Sequence, residues 1–456
     1  MIGGYAPAGR RLAGSVAPGS ALLAAAAGSA TLALGISLLF ARHPPPTLFV
    51  VGVGVGLLGT LALALARYDA AVSVGLLLLA VVFVEPAPTD VVLAVVIAVA
   101  FVTGRFAFDR VPQGALVLIG AFLAINLLAS VEVVDAGRAA AFLSTTVYLC
   151  VFAMWVASYV DSSRRARLVL RSYLGAALVS ALLVLGALLL PIPGRDLFLY
   201  PGGRGLALFK DPNVFGPFLV PAALIVLEEL LTPRLLRSRS LAKLTMFLLL
   251  SLGVLFSYSR AAWLNLGIGV AVVLLVLALR RGGATRALKL LVVLSLAATA
   301  LAATVAATGS AEFLEERARI QTYDVGRFSG QRLGLAVAEE YPLGIGPGQF
   351  ETVIVIAAHS TYVRTVAEEG VLGFVTLVLL MLVTLHWAAQ NAVRGRNPYG
   401  IGSAALLGAW AGLLANGFFI DTIHWRHLWL FAGLIWAGRS ASAFVTSGGM
   451  SSLRRQ

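Results

Sequence analysis

Apolar residues occur in long continuous runs that recur along nearly the whole chain. The runs do not alternate with polar residues at every second position, as strands of a membrane barrel do, so they favour helices. Many approach the roughly 20 residues that a helix needs to cross the hydrocarbon core, where only helices and closed barrels satisfy the backbone. The pattern predicts an all-α integral membrane protein with about 12–14 transmembrane helices. The candidate spans are 20–40, 47–66, 70–84, 89–104, 113–130, 138–159, 166–191, 213–232, 241–257, 262–280, 286–307, 361–388, 400–419 and 426–442.

The third and fourth candidate spans are short, and together they could form one broken hairpin, which leaves twelve crossings and the same orientation. The longest stretch without a clear apolar run lies before the twelfth span, and it is expected to form a short helical extracytoplasmic subdomain. The predicted regions are transmembrane helices over 1–307, the outer subdomain over 308–358, C-terminal transmembrane helices over 359–442 and a cytoplasmic tail over 443–456.

Basic residues alternate between the loops on the two sides of these spans. With the N-terminus inside, the inner loops carry 22 of the 34 basic and 5 of the 21 acidic residues, a net +17, whereas the outer loops carry 12 and 16, a net −4. Because cytoplasmic loops are enriched in Lys and Arg, both termini are predicted to be cytoplasmic. Topology and anionic membrane lipid thus explain the net charge of +13, and no nucleic-acid partner is predicted.

Ten basic residues nevertheless lie in the outer loops from residue 195 onwards. Guanidinium groups bind phosphate oxygens in planar, bidentate geometry and never lose their charge. A cluster at the membrane surface therefore favours a lipid-linked phosphate or diphosphate as ligand. The alternative is that these cations pair with the outer acidic residues and cap helix ends. The ten are Arg195, Arg204, Lys210, Arg260, Arg317, Arg319, Arg327, Arg332, Arg364 and Arg426.

Two of the segments that hold these cations begin or join spans. Pro201–Asn213 is a Gly-rich loop whose end, Asp211–Asn213, predicts a helix start, and the helix N-terminus would favour an anion. Phe256–Trp263 places Arg260 between two apolar runs with almost no loop. Its charge must therefore face a polar cavity or extend to the membrane surface.

A third segment is the outer stretch 308–358. Glu312–Arg319 and Ser329–Glu340 are predicted to be short amphipathic helices, and the turn Tyr341–Phe350 follows them. Its glycines resemble a phosphate-binding loop superficially, but they follow a helix rather than a strand, which excludes a Walker or Rossmann motif.

The fourth segment, His359–Gly373, is predicted to open the next span as a helix. On such a helix His359 would neighbour Tyr362, and Ser360 would neighbour Arg364. A histidine at the membrane boundary beside several arginines should favour its neutral form, which can accept a proton.

The order of these motifs resembles the O-antigen ligase and polymerase superfamily. It runs R-G…D-P-N before a span, S-R-A-A-W between spans, Y-P-L-G-I-G-P-G-Q-F in the outer loop, and H-S-T-Y…E-E-G-V-L-G at the next span. The resemblance covers about 200–440, and before that it depends on the span pattern alone. It implies a GT-C-like fold and a metal-independent glycosyltransferase with no cofactor. Such an enzyme moves a glycan from undecaprenyl diphosphate to an acceptor sugar on the outer face of the bacterial inner membrane.

The resemblance also implies roles for individual residues. Arg260 and Arg332 would hold the donor diphosphate, and His359 would help to activate the acceptor hydroxyl. The polar residues expected to bind substrate around them are Arg204, Lys210, Asp211, Asn213, Tyr258, Arg327, Tyr362 and Arg364. The implied partners are the lipid-linked donor, a glycan or glycolipid acceptor, membrane lipid and, for a polymerase, a flippase and a chain-length regulator. The interval between Arg332 and His359 is short for the family, which leaves the acceptor open.

Other interpretations stay open. A flippase or other sugar transporter would carry repeats or midplane charges, but no repeat relates the two halves, and Glu228 and Glu229 lie near an inner end. A cell-wall glycosyltransferase of the shape and division type has many spans too, but its acidic loop motif is absent. The sequence does not choose between ligase and polymerase, which differ only in acceptor. The single cysteine, Cys150, makes no internal disulfide and no metal site is predicted.

Overall fold

The structure is a computed structural model that describes residues 46–191, 193–280, 283–319 and 321–453. The first candidate span, 20–40, lies outside the described residues. The chain separates into two units, Met1–Ala71 and Val72–Gln456. The first unit contributes the helix Pro46–Ala66, and every contact discussed below lies within the second.

Helices account for most of the described chain. The two short strands, β1 (Leu199–Tyr200) and β2 (Arg204–Gly205), pair antiparallel within the loop that precedes α7. The helices are α1 (Pro46–Ala66), α2 (Tyr68–Leu77), α3 (Pro88–Val102), α4 (Gln113–Ala129), α5 (Ala136–Tyr159), α6 (Ser163–Leu189), α7 (Pro212–Leu231), α8 (Ser240–Phe256), α9 (Arg260–Leu279), α10 (Ala284–Thr308), α11 (Ala311–Ala318), α12 (Thr322–Glu340), α13 (Phe350–Val353), α14 (Thr361–Glu368), α15 (Gly370–Val393), α16 (Ser403–Asn416) and α17 (Arg426–Leu453).

The predicted all-α membrane fold is confirmed. Six of the described helices, α5, α6, α7, α9, α10 and α15, are long and apolar enough to cross a membrane. The second to fourteenth candidate spans each coincide with one or two helices, although α17 continues to Leu453. The third and fourth spans are separate short helices, and Thr89 Oγ1 donates to Gly75 O at 2.9 Å between them.

One predicted helix is broken. The twelfth span was expected as a single helix, but it is divided into α14 and α15 at Gly370, whose φ is 68°. A Cβ at Gly370 would lie 2.4 Å from Pro342 O, so the break makes room for the Gly-rich turn that crosses there. A left-handed residue at a helix end is typically glycine because other residues pay a steric cost.

Glycines also bring α9 and α16 unusually close together. A Cβ at Gly408 would lie 2.6 Å from Gly269 O, and a Cβ at Gly412 would lie 1.9 Å from Asn265 Oδ1. Two glycines spaced by three residues form a flat strip that lets membrane helices approach at the backbone, where packing contacts replace the missing hydrophobic force. This contact fixes the position of Arg260, the first residue of α9.

Buried charges join the helix ends opposite the predicted site. Glu228 Oε1 lies 2.6 Å from Arg234 Nη2, and the other oxygen of Glu228 accepts from Ala405 N at 2.7 Å. Glu229 accepts three backbone N–H groups and lies 3.8 Å from Lys243 Nζ. Glu228 and Glu229, the two acids considered for a transporter, therefore join α7, α8 and α16.

We expect Gly408→Ile to lower the thermal unfolding midpoint of the purified protein, since its side chain would meet the Gly269 backbone. Overpacking of this kind costs about 1–3 kcal/mol. Gly267→Ile is the matched control on α9, because nothing lies within 4 Å of a Cβ there. Equal midpoints for the two variants would contradict the close approach.

Candidate functional site

The loop before α7 meets the turn between α8 and α9. Arg204 donates from Nε to Ser257 O at 3.3 Å and from Nη2 to Asn213 Oδ1 at 3.0 Å. Asp211 caps α7 by accepting from Asn213 N at 2.8 Å, so the predicted helix start is confirmed. Three of the predicted residues, Arg204, Asp211 and Asn213, are thus joined to the turn that carries Arg260.

Arg260 contacts the outer segment rather than solvent alone. Its Nη2 lies 2.5 Å from Asp324 Oδ1, and its Nη1 donates to Arg319 O at 3.0 Å. Burial acts to raise the pKa of Asp324, but the hydrogen bond and charge of Arg260 outweigh it, so the carboxyl pKa is lowered and Asp324 is ionised near neutral pH. The arginine fork is therefore occupied by an anionic oxygen of the same chain.

The turn residue Tyr258 anchors the first outer helix. It is buried, its ring packs edge-on against Phe313 of α11 at 4.5 Å, and its carbonyl accepts from Arg317 Nη2 at 3.5 Å. Burial raises the pKa of its hydroxyl. Tyr258 thus positions α11 over the α8–α9 turn, and its phenol stays protonated.

His359 lies outside the helix that was predicted to contain it. Ser360 is the N-cap of α14 and accepts from Val363 N at 3.4 Å, so the predicted side-by-side row of His359 and Tyr362 on one helix is wrong. The backbone of His359 has φ 44°, and its carbonyl accepts from Gln331 Nε2 at 3.3 Å. Because Ser360 supplies the cap, a capping role for His359 has no support.

The surroundings of His359 favour the neutral imidazole, as predicted. Burial lowers its pKa most, Arg327 and Arg364 lower it further, and the charges of Asp211 and Glu351 act in the opposite direction. These charges come from four separate elements, so His359 is the point at which the α7 loop, α12, α13 and α14 come together electrostatically. With a pKa below its ordinary value, the ring is mainly unprotonated at pH 7 and can accept a proton.

The helix α12 carries both Arg327 and Arg332 but directs them to different faces. It begins at Thr322, seven residues before the predicted Ser329. Asp324, Arg327 and Gln331 share the face that meets Arg260 and His359, since they are spaced three and four residues apart. Arg332 is one position further round, is exposed, and makes no hydrogen bond or ion pair with any described residue. Arg327, not Arg332, is therefore the α12 arginine whose charge acts on the pKa of His359.

Arg364 is a structural ion-pair centre. Its side chain is only 10% exposed and lies 2.9 Å from Glu368 Oε1 and 2.7 Å from Asp421 Oδ2, with Glu351 as a third partner. Tyr362, predicted to bind substrate, donates its hydroxyl to Leu414 O at 2.8 Å. The polar side-chain groups of Arg364 and Tyr362 therefore have partners within the protein, as expected if these residues serve the fold rather than a ligand.

The Gly-rich turn is clasped by the α14–α15 junction. Glu368 accepts from Gly348 N and Phe350 N, both at 2.8 Å, and its carbonyl accepts from Gly346 N at 2.8 Å. A Cβ at Gly344 would lie 2.2 Å from Glu368 O, so the turn needs glycine to pass. The two motifs around 341–350 and 368–373 thus form one structural unit that holds His359 between α12 and α14.

Strained backbone marks the same region. Four described residues other than glycine have positive φ, and three of them, Ala207, Tyr258 and His359, lie in the predicted site segments. Such conformations cost of order 1–3 kcal/mol each and persist where surrounding contacts impose them, commonly at functional sites.

Sequence analysis missed several acidic residues of the site. Asp324 pairs with Arg260, and Asp421 pairs with Arg364 from a loop between α16 and α17. Glu369 is buried, and neither carboxylate oxygen has a hydrogen-bond partner in the described part of the chain. The two adjacent glutamates, Glu368 and Glu369, before an apolar run could have indicated a buried carboxylate at Glu369. No sequence pattern indicated that Asp324 and Asp421 would pair with arginines.

Removal of Arg364 should destabilise the fold strongly. Glu368 would remain fully buried without a counter-charge, with the quarter-exposed Glu351 and Asp421 beside it, and breaking a buried pair in this way typically costs about 3–5 kcal/mol. Thermal unfolding of Arg364→Ala and of the exposed-site control Arg332→Ala measures the difference. A midpoint of Arg364→Ala as high as that of the control would show that the ion-pair centre does not stabilise the fold.

Residues 245–378 match the family model described as O-antigen ligase. The matched range contains Arg260, Arg332 and His359, and it ends before Asp421; the loop that carries Arg204 precedes it. No curated protein matches the chain.

Proposed function

As the chain carries an O-antigen ligase domain over residues 245–378 and so falls in the O-antigen ligase and polymerase superfamily, we propose that it transfers a glycan from undecaprenyl diphosphate to an acceptor sugar. The observation that supports this most directly is that one helix, α12, contacts both Arg260, through the carboxylate of Asp324, and the neutral, backbone-strained His359, through Gln331. No protein group in this proposal requires a metal or cofactor.

Arg260 is proposed to bind the donor diphosphate. Its guanidinium already holds Asp324 Oδ1 at 2.5 Å and a backbone oxygen, which are acceptors of the kind that a diphosphate presents. The diphosphate would replace Asp324 at the fork, and Arg204 would keep the Ser257 turn in place. Exchange of one anion for another avoids leaving the partly buried arginine without a partner.

His359 is proposed to act on the acceptor. Its neutral ring would accept the hydroxyl proton as the acceptor oxygen forms a bond to the anomeric carbon. The bond from that carbon to the diphosphate oxygen breaks at the same time, and undecaprenyl diphosphate leaves with the electron pair. Fixed guanidinium charge stabilises the growing negative charge of the leaving group, and a general base contributes about 10²–10⁴ in rate.

The second arginine of the donor site is assigned between two positions of α12. The family resemblance assigns Arg332, whereas the electrostatic surroundings of His359 favour Arg327. Arg332 lies about 140° round the helix from Arg327 and about 7.5 Å further along it, so α12 would have to turn and shift for Arg332 to take the place of Arg327.

Variants of Arg260 and His359 should separate the two roles. Arg260→Lys keeps charge but loses the planar fork, so both donor binding and turnover should fall, and Arg260→Ala should be worse. His359→Asn should bind the donor nearly normally but lose at least tenfold in turnover. The assay is glycan transfer from an undecaprenyl-diphosphate donor by purified protein, without nucleotide.

Arg195→Lys is the matched control for this assay, because Arg195 is half-exposed and its Nε lies 3.8 Å from a carboxylate oxygen of the exposed Asp196. Wild-type turnover by a folded His359→Asn protein would remove His359 from the mechanism. Absence of transfer by the wild type, combined with donor transport in vesicles, would instead favour the flippase alternative.

We also propose that the site faces the extracytoplasmic side of the bacterial inner membrane, with both termini in the cytoplasm. The excess of basic residues in the alternate loops supports this orientation. A flippase and a chain-length regulator are the proposed partners if the enzyme is a polymerase.

Labelling of single cysteines in a Cys150→Ser background tests the orientation. Asp196→Cys, at the end that carries the site, should react with a membrane-impermeant reagent added to intact spheroplasts, because residue 196 is 94% exposed. Arg237→Cys, an exposed position at the opposite end, should react only after lysis. The reverse pattern would place the site in the cytoplasm.

A further inference from the structure

A polar cavity lies at the same end of the helix bundle as His359. Its volume is about 190 Å³, and it is walled by the turn after α2, the start of α7, the loop between α16 and α17, and the start of α17. Its polar and aromatic lining includes Glu85, Lys210, Asp421, His424, Trp425 and His427. The proposed transfer step uses none of these side chains.

The charges of the lining balance one another. Lys210 Nζ lies 3.2 Å from Glu85 Oε1, and both side chains are about half-exposed. Arg426, which also lines the cavity, is paired with Asp90, its Nε donating to Asp90 Oδ1 at 2.6 Å. Asp421 is paired with Arg364. Both basic residues that line the cavity therefore have a carboxylate partner, so the lining does not favour an anionic ligand.

The lining offers donors, acceptors and aromatic faces together. Carboxylates accept, an ammonium donates, and a neutral imidazole does both. Burial lowers the pKa of His424 to about 4, so its ring is neutral at pH 7, and its Nε2 lies 3.0 Å from Thr146 Oγ1. Trp425 stacks on His427 with ring centroids 5.0 Å apart. Aromatic rings packed beside hydroxyl-binding groups suit a ligand with apolar faces and polar edges.

One lining group lacks a partner. His427 is 3% exposed, and its Nε2 has no hydrogen bond to any described residue. Buried polar atoms are nearly always satisfied, so an orphaned nitrogen beside a cavity indicates a missing hydrogen-bonding partner. A ligand hydroxyl in the cavity would reach this nitrogen once the imidazole turns towards it, because the atom itself is not exposed there.

The cavity is joined to the surroundings of His359 at two places. Lys210 is followed directly by Asp211, whose charge acts on His359. Asp421 lines the cavity and also accepts from Thr361 Oγ1 at 3.3 Å, and Thr361 begins α14 two residues after His359. A ligand held in the cavity would therefore lie within a few side chains of the proposed base.

We propose that this cavity is a subsite for one neutral sugar ring of the glycan that is transferred or extended. The volume equals about six water molecules at ~30 Å³ each and is below the ~300 Å³ of typical drug-sized sites, which limits the ligand to a single ring. The inference depends on the proposed glycosyl transfer for its biological meaning, but binding of the sugar ring can be measured without any transfer.

The test is saturation-transfer NMR on the full chain in lipid nanodiscs, free of sugar-based detergent. The probes are the methyl glycosides of glucose, galactose, rhamnose and N-acetylglucosamine, with inorganic pyrophosphate as the anion probe. Glu85→Gln and Trp425→Leu are the cavity variants; Glu85 is 58% exposed, so its replacement should not disturb folding. The matched controls are Asp196→Asn, an exposed carboxylate of the same end, and Trp387→Leu, a tryptophan of α15 beside Gly114.

At least one methyl glycoside should bind the wild type and both controls. Its affinity should fall about tenfold or more in each cavity variant, because a hydrogen bond to a charged group or a stacking face is lost. Pyrophosphate binding should be the same in all five proteins. In transfer assays with Glu85→Gln, a raised KM for the donor would assign the ring to the donor, and a raised KM for the acceptor would assign it to the acceptor.

Three outcomes would overturn the subsite: no glycoside binds the wild type, the cavity variants bind as well as the controls, or pyrophosphate displaces the glycoside. The result is independent of the proposed reaction. If glycoside binding behaves as expected but no transfer occurs, the sugar site stands and the transferase proposal fails. If transfer occurs and glycoside binding does not respond to the cavity variants, the transferase stands and the subsite is elsewhere.

Discussion

Arg364 holds three carboxylates from three separate parts of the chain in a largely buried position, and the geometry of the site depends on this contact. Glu351 belongs to α13, Glu368 to α14 and Asp421 to the loop before α17. Glu368 in turn accepts the N–H groups of the Gly-rich turn. Buried ions are stable only when paired and hydrogen-bonded, so the turn, α14 and the loop are held in one arrangement.

Two different uses of arginine follow from this arrangement. Arg364 and Arg426 are only about a tenth exposed, with paired carboxylates, and they serve the fold. Arg260 is 29% exposed, and its partner Asp324, itself only 9% exposed, belongs to α12, most of whose described side chains are exposed or half-buried. A partly exposed pair across a separable contact costs far less to break than a buried one, since water screens it. Only the pair formed by Arg260 and Asp324 is therefore suited to an exchange of its carboxylate for a diphosphate.

The sugar cavity and the arginine site would divide recognition in the usual way. A charged fork at Arg260 would supply strong, orienting contacts to the diphosphate, whereas a charge-balanced cavity beside Asp421 would supply weaker contacts that depend on the shape of a neutral ring. Since Asp421 also belongs to the Arg364 ion-pair centre, the same buried contact that positions His359 would position the sugar ring. Binding energy from a ring next to the reacting centre can then orient the acceptor or donor for transfer.

The sequence by itself determined the membrane helices, the start of α7 at Asp211 and the order of the motifs. These are local properties: an apolar run of sufficient length has to form a helix in lipid, and Asp-Pro caps a helix wherever it lies. The tertiary structure decided which arginines pair with carboxylates of the same chain. It also decided that α14 and α15 separate at Gly370 and that Arg327 rather than Arg332 lies on the face of α12 that meets His359. These features depend on which distant loops meet. An arginine pairs with the carboxylate that the fold brings close to it, and the residues next to that arginine in sequence do not indicate which carboxylate this will be.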